Sequence, residues 1–131
     1  MPLPTLPRLL MIEFLEHLEI ERNVSKLTIR DYSHYLRRFC DWFESEGGKD
    51  ISELDIHFVK KYRVYLSRYG DDLGRSLSLS TQSYHVICLR SFLKWLVKND
   101  MPVLHPEKID LPKAEPIVMK FLDTDQMSRL L

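Results

Sequence analysis

Between Leu77 and Asp100 the apolar residues Val86, Leu89, Phe92, Leu93 and Leu96 recur in steps of three and four. That spacing gathers them on one side of a helix. Ser78 stands just ahead of the run, where its hydroxyl can accept a hydrogen bond from a free first-turn amide, and this predicts the N-cap. From Leu73 to Asn99 the charged residues are Arg75, Arg90, Lys94 and Lys98, with no acid among them. The outer side of this helix therefore faces either water or a polyanion.

The same template occurs earlier in the chain. Ser25 and Thr28 stand three apart, as Ser78 and Thr81 do, and Leu36, Phe39 and Trp42 follow Thr28 at the offsets at which Leu89, Phe92 and Trp95 follow Thr81. Two copies do not make a solenoid. Either two helices bury similar faces in one bundle, or they lie side by side and use equivalent N-terminal halves for one task.

The pattern elsewhere predicts two further helices. One runs from Pro7 or Arg8 to Ile20 or Arg22, with Leu10, Phe14, Leu15 and Leu18 inward and Glu13, Glu16, Glu19 and Glu21 as a solvated acidic side. The Ser25 helix extends to about Glu46 and stops at Gly47-Gly48. Its inward set is Leu27, Tyr32, Tyr35, Leu36, Phe39 and Phe43, while Lys26, Arg30, His34, Arg37 and Asp41 fall on another line. A connector, Lys49 to Leu54, leads to a helix capped by Asp55 and running from Ile56 to about Tyr69, with Val59, Tyr62, Leu66 and Tyr69 inward. Gly70 to Gly74 reads as a mobile polar loop. The expectation is an all-α domain of four main helices over residues 1–101.

After Asp100, Pro102, Pro106, Pro112 and Pro116 mark residues 102–120 as an extended linker and not a packed element. In the final stretch Asp123 and Gln126 resemble a capping box, and Met127, Leu130 and Leu131 begin an apolar stripe. Residues 121–131 thus read as the first helix of a second domain, cut shortly after it begins.

Composition narrows the function. With 44% hydrophobic residues in 131, the chain has enough apolar material for a core, and its formal net charge is zero. No run is long enough to span a membrane, and the N-terminal stretch does not read as a signal peptide, so a reducing cytoplasm is the expected location. Cys40 and Cys88, without CxxC spacing, read as small core residues. The neutral total conceals a segregation of charge. Residues 41–55 hold six acids against Lys49, whereas residues 60–98 hold eight bases against Asp71 and Asp72. A basic face and an acidic back are compatible with that pattern.

Catalysis is not expected. His17, His34, His57, His85 and His105 are scattered, and none pairs with a carboxylate or cysteine at metal-ligand spacing. There is no phosphate-binding glycine loop or nucleophile elbow. Neither a metal nor a cofactor is expected. Trp42 and Trp95 read as core residues, whereas Tyr84 falls in the N-terminal half of its helix.

The order of SKLTIRDYSHYLRRFCDWF, ISELDIHFVKKYRVYL, LSLSTQSYHVICLRSFLKWLVKND, HPEKIDLPK and FLDTDQMSRLL resembles the amino-terminal core-binding domain of tyrosine recombinases, the phage integrase and Xer-type family. The resemblance covers roughly residues 8–131. It departs at His105, where asparagine is commoner before the proline. It implies a small helical bundle, described as SAM-like, that closes with a later catalytic domain into a clamp around double-stranded DNA. It places the catalytic arginines, lysine, histidine and nucleophilic tyrosine in that later domain, and none of them in this chain. Protomers of such a protein act together on DNA, the full-length form as a tetramer.

Carried over by position, DNA contact falls to Lys26, Thr28, Arg30, His34 and Arg37 on one helix. On the other it falls to Ser80, Thr81, Gln82, Tyr84, His85 and Arg90, with Lys113 in the linker. Residue chemistry alone is consistent with this, since lysine and arginine fix register on phosphates and polar side chains can meet base edges. The rival expectation is a helical protein-interaction module whose basic face docks an acidic partner.

Overall fold

The computed structural model describes residues 6–70 and 73–111. Four helices carry the fold: α1 (Leu6–Ile20), α2 (Lys26–Ser45), α3 (Ile56–Ser67) and α4 (Leu79–Lys98). Two short 3-10 turns, Ile51–Glu53 and Pro106–Lys108, complete the regular structure of the described residues, which is all-α as expected. Among the described residues the one strand-like pairing is an antiparallel bridge from Gly70 to Ser76, which closes the base of the α3–α4 loop.

The repeated Ser-x-x-Thr is a repeated cap. Ser25 Oγ accepts from the Thr28 amide at 3.2 Å and donates to the Thr28 hydroxyl at 3.0 Å. Ser78 makes the same pair with Thr81 at 3.1 and 3.0 Å. Each motif thus satisfies a first-turn donor and ties the two side chains together. Asp55 caps α3 through the Phe58 amide.

Helix ends are set by backbone geometry. At the end of α2, the Gly47 amide reaches the Glu44 carbonyl and the Gly48 amide reaches the Phe43 carbonyl, with Gly47 at φ 90°. That is a Schellman ending. Asp100, at φ 63°, plays the part of Gly47 at the end of α4. Gly48 is needed for a different reason. A Cβ there would stand 2.5 Å from ring carbons of Phe43, which is fully buried between Phe39 and Phe58 at centroid distances of 5.5 and 5.2 Å. Gly48→Ala is expected to lower unfolding free energy by about 1–3 kcal/mol, the usual cost of overpacking. Unchanged stability in chemical denaturation would mean that the ring does not press on this turn.

α2 is the central element. Its Phe39, Trp42 and Phe43 meet Phe58, Tyr62 and Tyr65 of α3 in one aromatic cluster, the Trp42–Tyr62 centroids 5.0 Å apart. α1 crosses α2 and α4, with Phe14 against Phe92 and Trp95 at 5.4 and 5.5 Å. Arg8 pins α1 to the far end of α2 through Glu44, at 2.8 and 2.9 Å, and Asp41. Those two carboxylates raise the pKa of the Arg8 guanidinium. Cys40 and Cys88 are buried free thiols. Burial pushes the Cys40 thiol up to about 12 and raises that of Cys88 as well, so both stay protonated and inert.

Three expectations need correction. Leu27 is 64% exposed. It lies seven residues before the exposed His34, on the outward side of α2 and half a turn away from the line of Leu36. Tyr69 lies beyond the end of α3, half-buried against Arg38 and not on the inward line of the helix. The segment after Asp100 is packed as far as residue 109. Ile109 is 2% exposed, Met101, Val103 and Leu104 lie against the core, and Arg90 Nε donates to the Pro106 carbonyl at 3.1 Å. The prolines shape this segment without keeping it off the domain. The connector at residues 49–54 is likewise ordered by an Asp50–Glu53 capping box that buries Ile51 and Leu54. Pro112, Pro116, Lys113 and the residue 121–131 stretch lie outside the described residues.

Candidate nucleic-acid interface

α2 and α4 do meet, but in opposite senses. Tyr35 and Arg38 lie against His85, and the Tyr32 carbonyl lies against Cys88. Nearer the start of α2, Thr28 and Tyr32 border an open groove of about 860 Å³ shared with Ser91, Lys94, Trp95 and Lys98. Successive residues of α2 therefore meet progressively earlier residues of α4. The two N-terminal halves do not lie side by side, as one expectation had it. The N-terminal turns of α2 lie beside the basic C-terminal half of α4, and the middle of α2 lies beside the start of α4.

The candidate residues separate by surroundings. On α2, Lys26, Arg30, His34 and Arg37 are all exposed. Arg30 touches only the neighbouring Asp31, at 3.3 Å, and Arg37 donates to Ser33 at 2.9 Å. Both contacts are exposed and local, so they leave the guanidinium groups open to a stronger acceptor. Partial burial and the charges of Arg38 and Arg37 lower the pKa of His34, which is neutral at physiological pH. Asp41, which shares this line, is held by Arg8 and does not extend the basic surface. Thr28 is engaged with Ser25 in the cap.

On α4, Ser80 and Tyr84 are the open candidates, Tyr84 at 53% exposure. Thr81 is tied to Ser78, and Gln82 Nε2 donates to the Leu77 carbonyl at 3.0 Å, so both serve the helix start. His85 is 1% exposed. It falls on the same helical line as Leu89, Phe92 and Leu96, which removes it from any surface that touches a ligand directly. Arg90 is half-buried and committed through Nε to Pro106. Lys113 lies outside the described residues.

Sequence reasoning missed Arg38. Four residues after His34, it continues the line of Lys26 and Arg30, but its side chain turns inward toward His85 and Tyr69, residues far off in the chain. Together His34, Arg37, Arg38 and Tyr84 surround the place where the two helices meet.

Burial raises the pKa values of Tyr35, beside His85, and of Tyr62 and Tyr65 in the α3 aromatic cluster. Among the described residues no group of three His, Cys, Asp or Glu side chains could hold a metal, and no helix is long and apolar enough to cross a membrane. What the face offers is spaced, exposed cations with a few neutral hydrogen-bonding side chains between them.

Comparison with known proteins agrees with this architecture. The tyrosine recombinase XerC of Escherichia coli O9:H4 (strain HS) is 29% identical over 119 residues, which is 90% of this chain and 38% of that protein. XerC of Escherichia fergusonii matches with the same identity and coverage. The chain thus spans little more than a third of the length of these relatives. The crystal structure of the N-terminal domain of a phage integrase/site-specific recombinase from Haloarcula marismortui superposes with a TM-score of 0.69 at 25% identity, covering 84% of this chain and 100% of that one. The model of the phage integrase N-terminal SAM-like domain matches residues 11–100, most of the chain's length, and the protein belongs to that family.

Proposed function

We propose that this chain is a DNA-binding domain of a site-specific tyrosine recombinase. It holds the recombination site as half of a clamp whose catalytic half is supplied by a later domain. Residues 1–101, with residues 102–109 packed against them, form the DNA-binding unit, and the chain beyond leads toward that later domain. The observation that carries the reading is the exposed line of Lys26, Arg30 and Arg37 on α2, continued across the meeting of the helices by His34 and Tyr84. Cations at one-turn and two-turn spacing on a rigid helix suit successive phosphates, while Tyr84, Ser80 and His34 are placed to meet sugar or base edges. The alternation of local weak pairs with open donors favours an exchangeable polyanion over a fixed protein partner.

Strand cleavage and rejoining belong, in this reading, to the parent protein, acting with other protomers on duplex DNA. The test is fluorescence anisotropy of a labelled duplex titrated with the chain at low salt. Saturable binding that disappears as salt rises is expected. Absence of binding at every salt concentration would sink the reading and favour a protein-docking face.

A further inference from the structure

Arg38 is half-buried where α2, the end of α3 and the start of α4 converge. One terminal nitrogen stands 2.9 Å from His85 Nε2 and the other 3.4 Å from the Tyr69 hydroxyl, with the guanidinium carbon 4.4 Å from the centre of the Tyr69 ring. On its other side, His85 Nδ1 lies 2.7 Å from the Thr81 carbonyl oxygen. That oxygen can only accept, so Nδ1 carries the proton and Nε2 turns its lone pair to Arg38. Burial and the Arg38 charge lower the pKa of His85 in keeping with this neutral tautomer.

These contacts orient the guanidinium without neutralising it. No carboxylate pairs with Arg38 among the described residues: the nearest acids on α2 serve others, Asp31 meeting Arg30 and Asp41 meeting Arg8. A guanidinium partly withdrawn from water, stacked, held in plane and lacking an anion is a costly arrangement by itself. It becomes favourable once an oxyanion takes the open donors of its fork.

We propose that Arg38 is a contact for a backbone phosphate of duplex DNA, and that His85 is the positioning residue that holds it in that pose. This rests on the reading of α2 and α4 as the DNA-facing helices, and it adds to that surface a half-buried residue whose side chain turns toward α4. Its position beside His34 and Arg37 puts the phosphate where the two helices meet, next to Tyr84.

The test uses the 131-residue chain and a labelled duplex, with anisotropy titrations over a salt series and melting by circular dichroism to confirm folding of each variant. Arg38→Gln keeps the stem and a donor toward His85 but removes the charge. It is expected to weaken binding about fivefold to tenfold and to flatten the plot of log affinity against log salt by about one unit. Arg38→Lys should keep the slope and lose part of the affinity, because an ammonium lacks the fork. His85→Leu should weaken binding several-fold with the slope unchanged, since no charge is removed. His85→Gln, whose amide oxygen restores the acceptor, should recover most of that loss, a rescue that a purely structural role would not produce. If Arg38→Gln matches the wild type in affinity and slope while Arg30→Ala flattens the slope, the Arg38 contact is wrong and the DNA-binding reading stands. If the wild type binds no duplex at any salt, both fall. If His85→Leu loses affinity and His85→Gln does not regain it, the positioning role of His85 is overturned.

Discussion

Leu89→Ala is expected to remove about 2–5 kcal/mol of unfolding free energy, the cost of a fully buried leucine truncated to alanine. Leu89 is 1% exposed and lies in the middle of α4, between His85 and Phe92 on a line of buried side chains. It belongs to the core that Leu36 and Phe39 of α2 share with Val59 and Tyr62 of α3. The loss has two parts. The methyl groups give up their transfer free energy, and the surrounding aromatic rings, already interlocked, cannot close the space. Against a total stability of about 5–15 kcal/mol for a domain of this size, the variant should melt well below the wild type. Leu79→Ala, one position inside the same helix and solvent-exposed, should change stability by less than about 0.5 kcal/mol. Urea denaturation followed by circular dichroism measures both. A Leu89→Ala loss below about half a kcal/mol would mean that the register of α4 is wrong.

The helices and their caps were legible because each rests on a local rule. Ser25, Ser78 and Asp55 announce three starts, Gly47 and Gly48 one end, and the threefold and fourfold spacing of Leu36, Phe39, Leu89, Phe92 and Leu96 the buried lines. What escaped depended on partners far away in the chain. His85 reads as a polar residue in the sequence, yet it occupies a core position because Arg38, 47 residues away, supplies the donor that its ring nitrogen needs. Ile109 reads as part of a proline-punctuated linker, yet it is buried once Arg90 anchors the Pro106 carbonyl.

Leu27 shows the opposite failure, where an apolar residue was read as inward by type. In the first turn of α2 it lies on the outward side, and its own line through His34 pointed there. The candidate site was legible only as a set of residue types on two helices. Which of them are free to touch a ligand was decided by local hydrogen bonds, since Thr28, Thr81 and Gln82 are spent on capping and Arg90 on Pro106. The antiparallel sense of the two helices was not legible at all. Matching apolar faces say that α2 and α4 share a core, and nothing in either pattern distinguishes one relative direction from the other.

Binding of duplex DNA should fall by a few hundred-fold between 50 and 200 mM salt (roughly, for about five neutralised phosphates). The exposed cations set the size of this loss. Lys26, Arg30 and Arg37 line α2, and Lys94 and Lys98 stand on α4 beside the start of α2, in a groove whose α1 side carries Glu13, Glu16 and Glu21. Each phosphate neutralised releases condensed counterions, so about five contacts give a slope of log affinity against log salt of roughly −4 to −5. Without a catalytic half to close the clamp, affinity should be nearer non-specific than specific values. Arg30→Ala and Arg37→Ala should each flatten the slope by about one unit, because their present partners, Asp31 and Ser33, are exposed and easily exchanged for a phosphate. Arg90→Ala is a mixed variant, since it also releases the Pro106 carbonyl and loosens residues 101–109, so its effect on stability should exceed its effect on slope. Glu13→Ala and Glu16→Ala, exposed on α1 and lining the same groove as Lys94 and Lys98, should leave the slope unchanged and raise affinity slightly by removing repulsion of the phosphates. The opposing outcome is specific. If Arg30 and Arg37 are silent while substitutions at Lys60 and Lys61 abolish binding, α3 faces the DNA and the interface assigned to α2 and α4 is wrong.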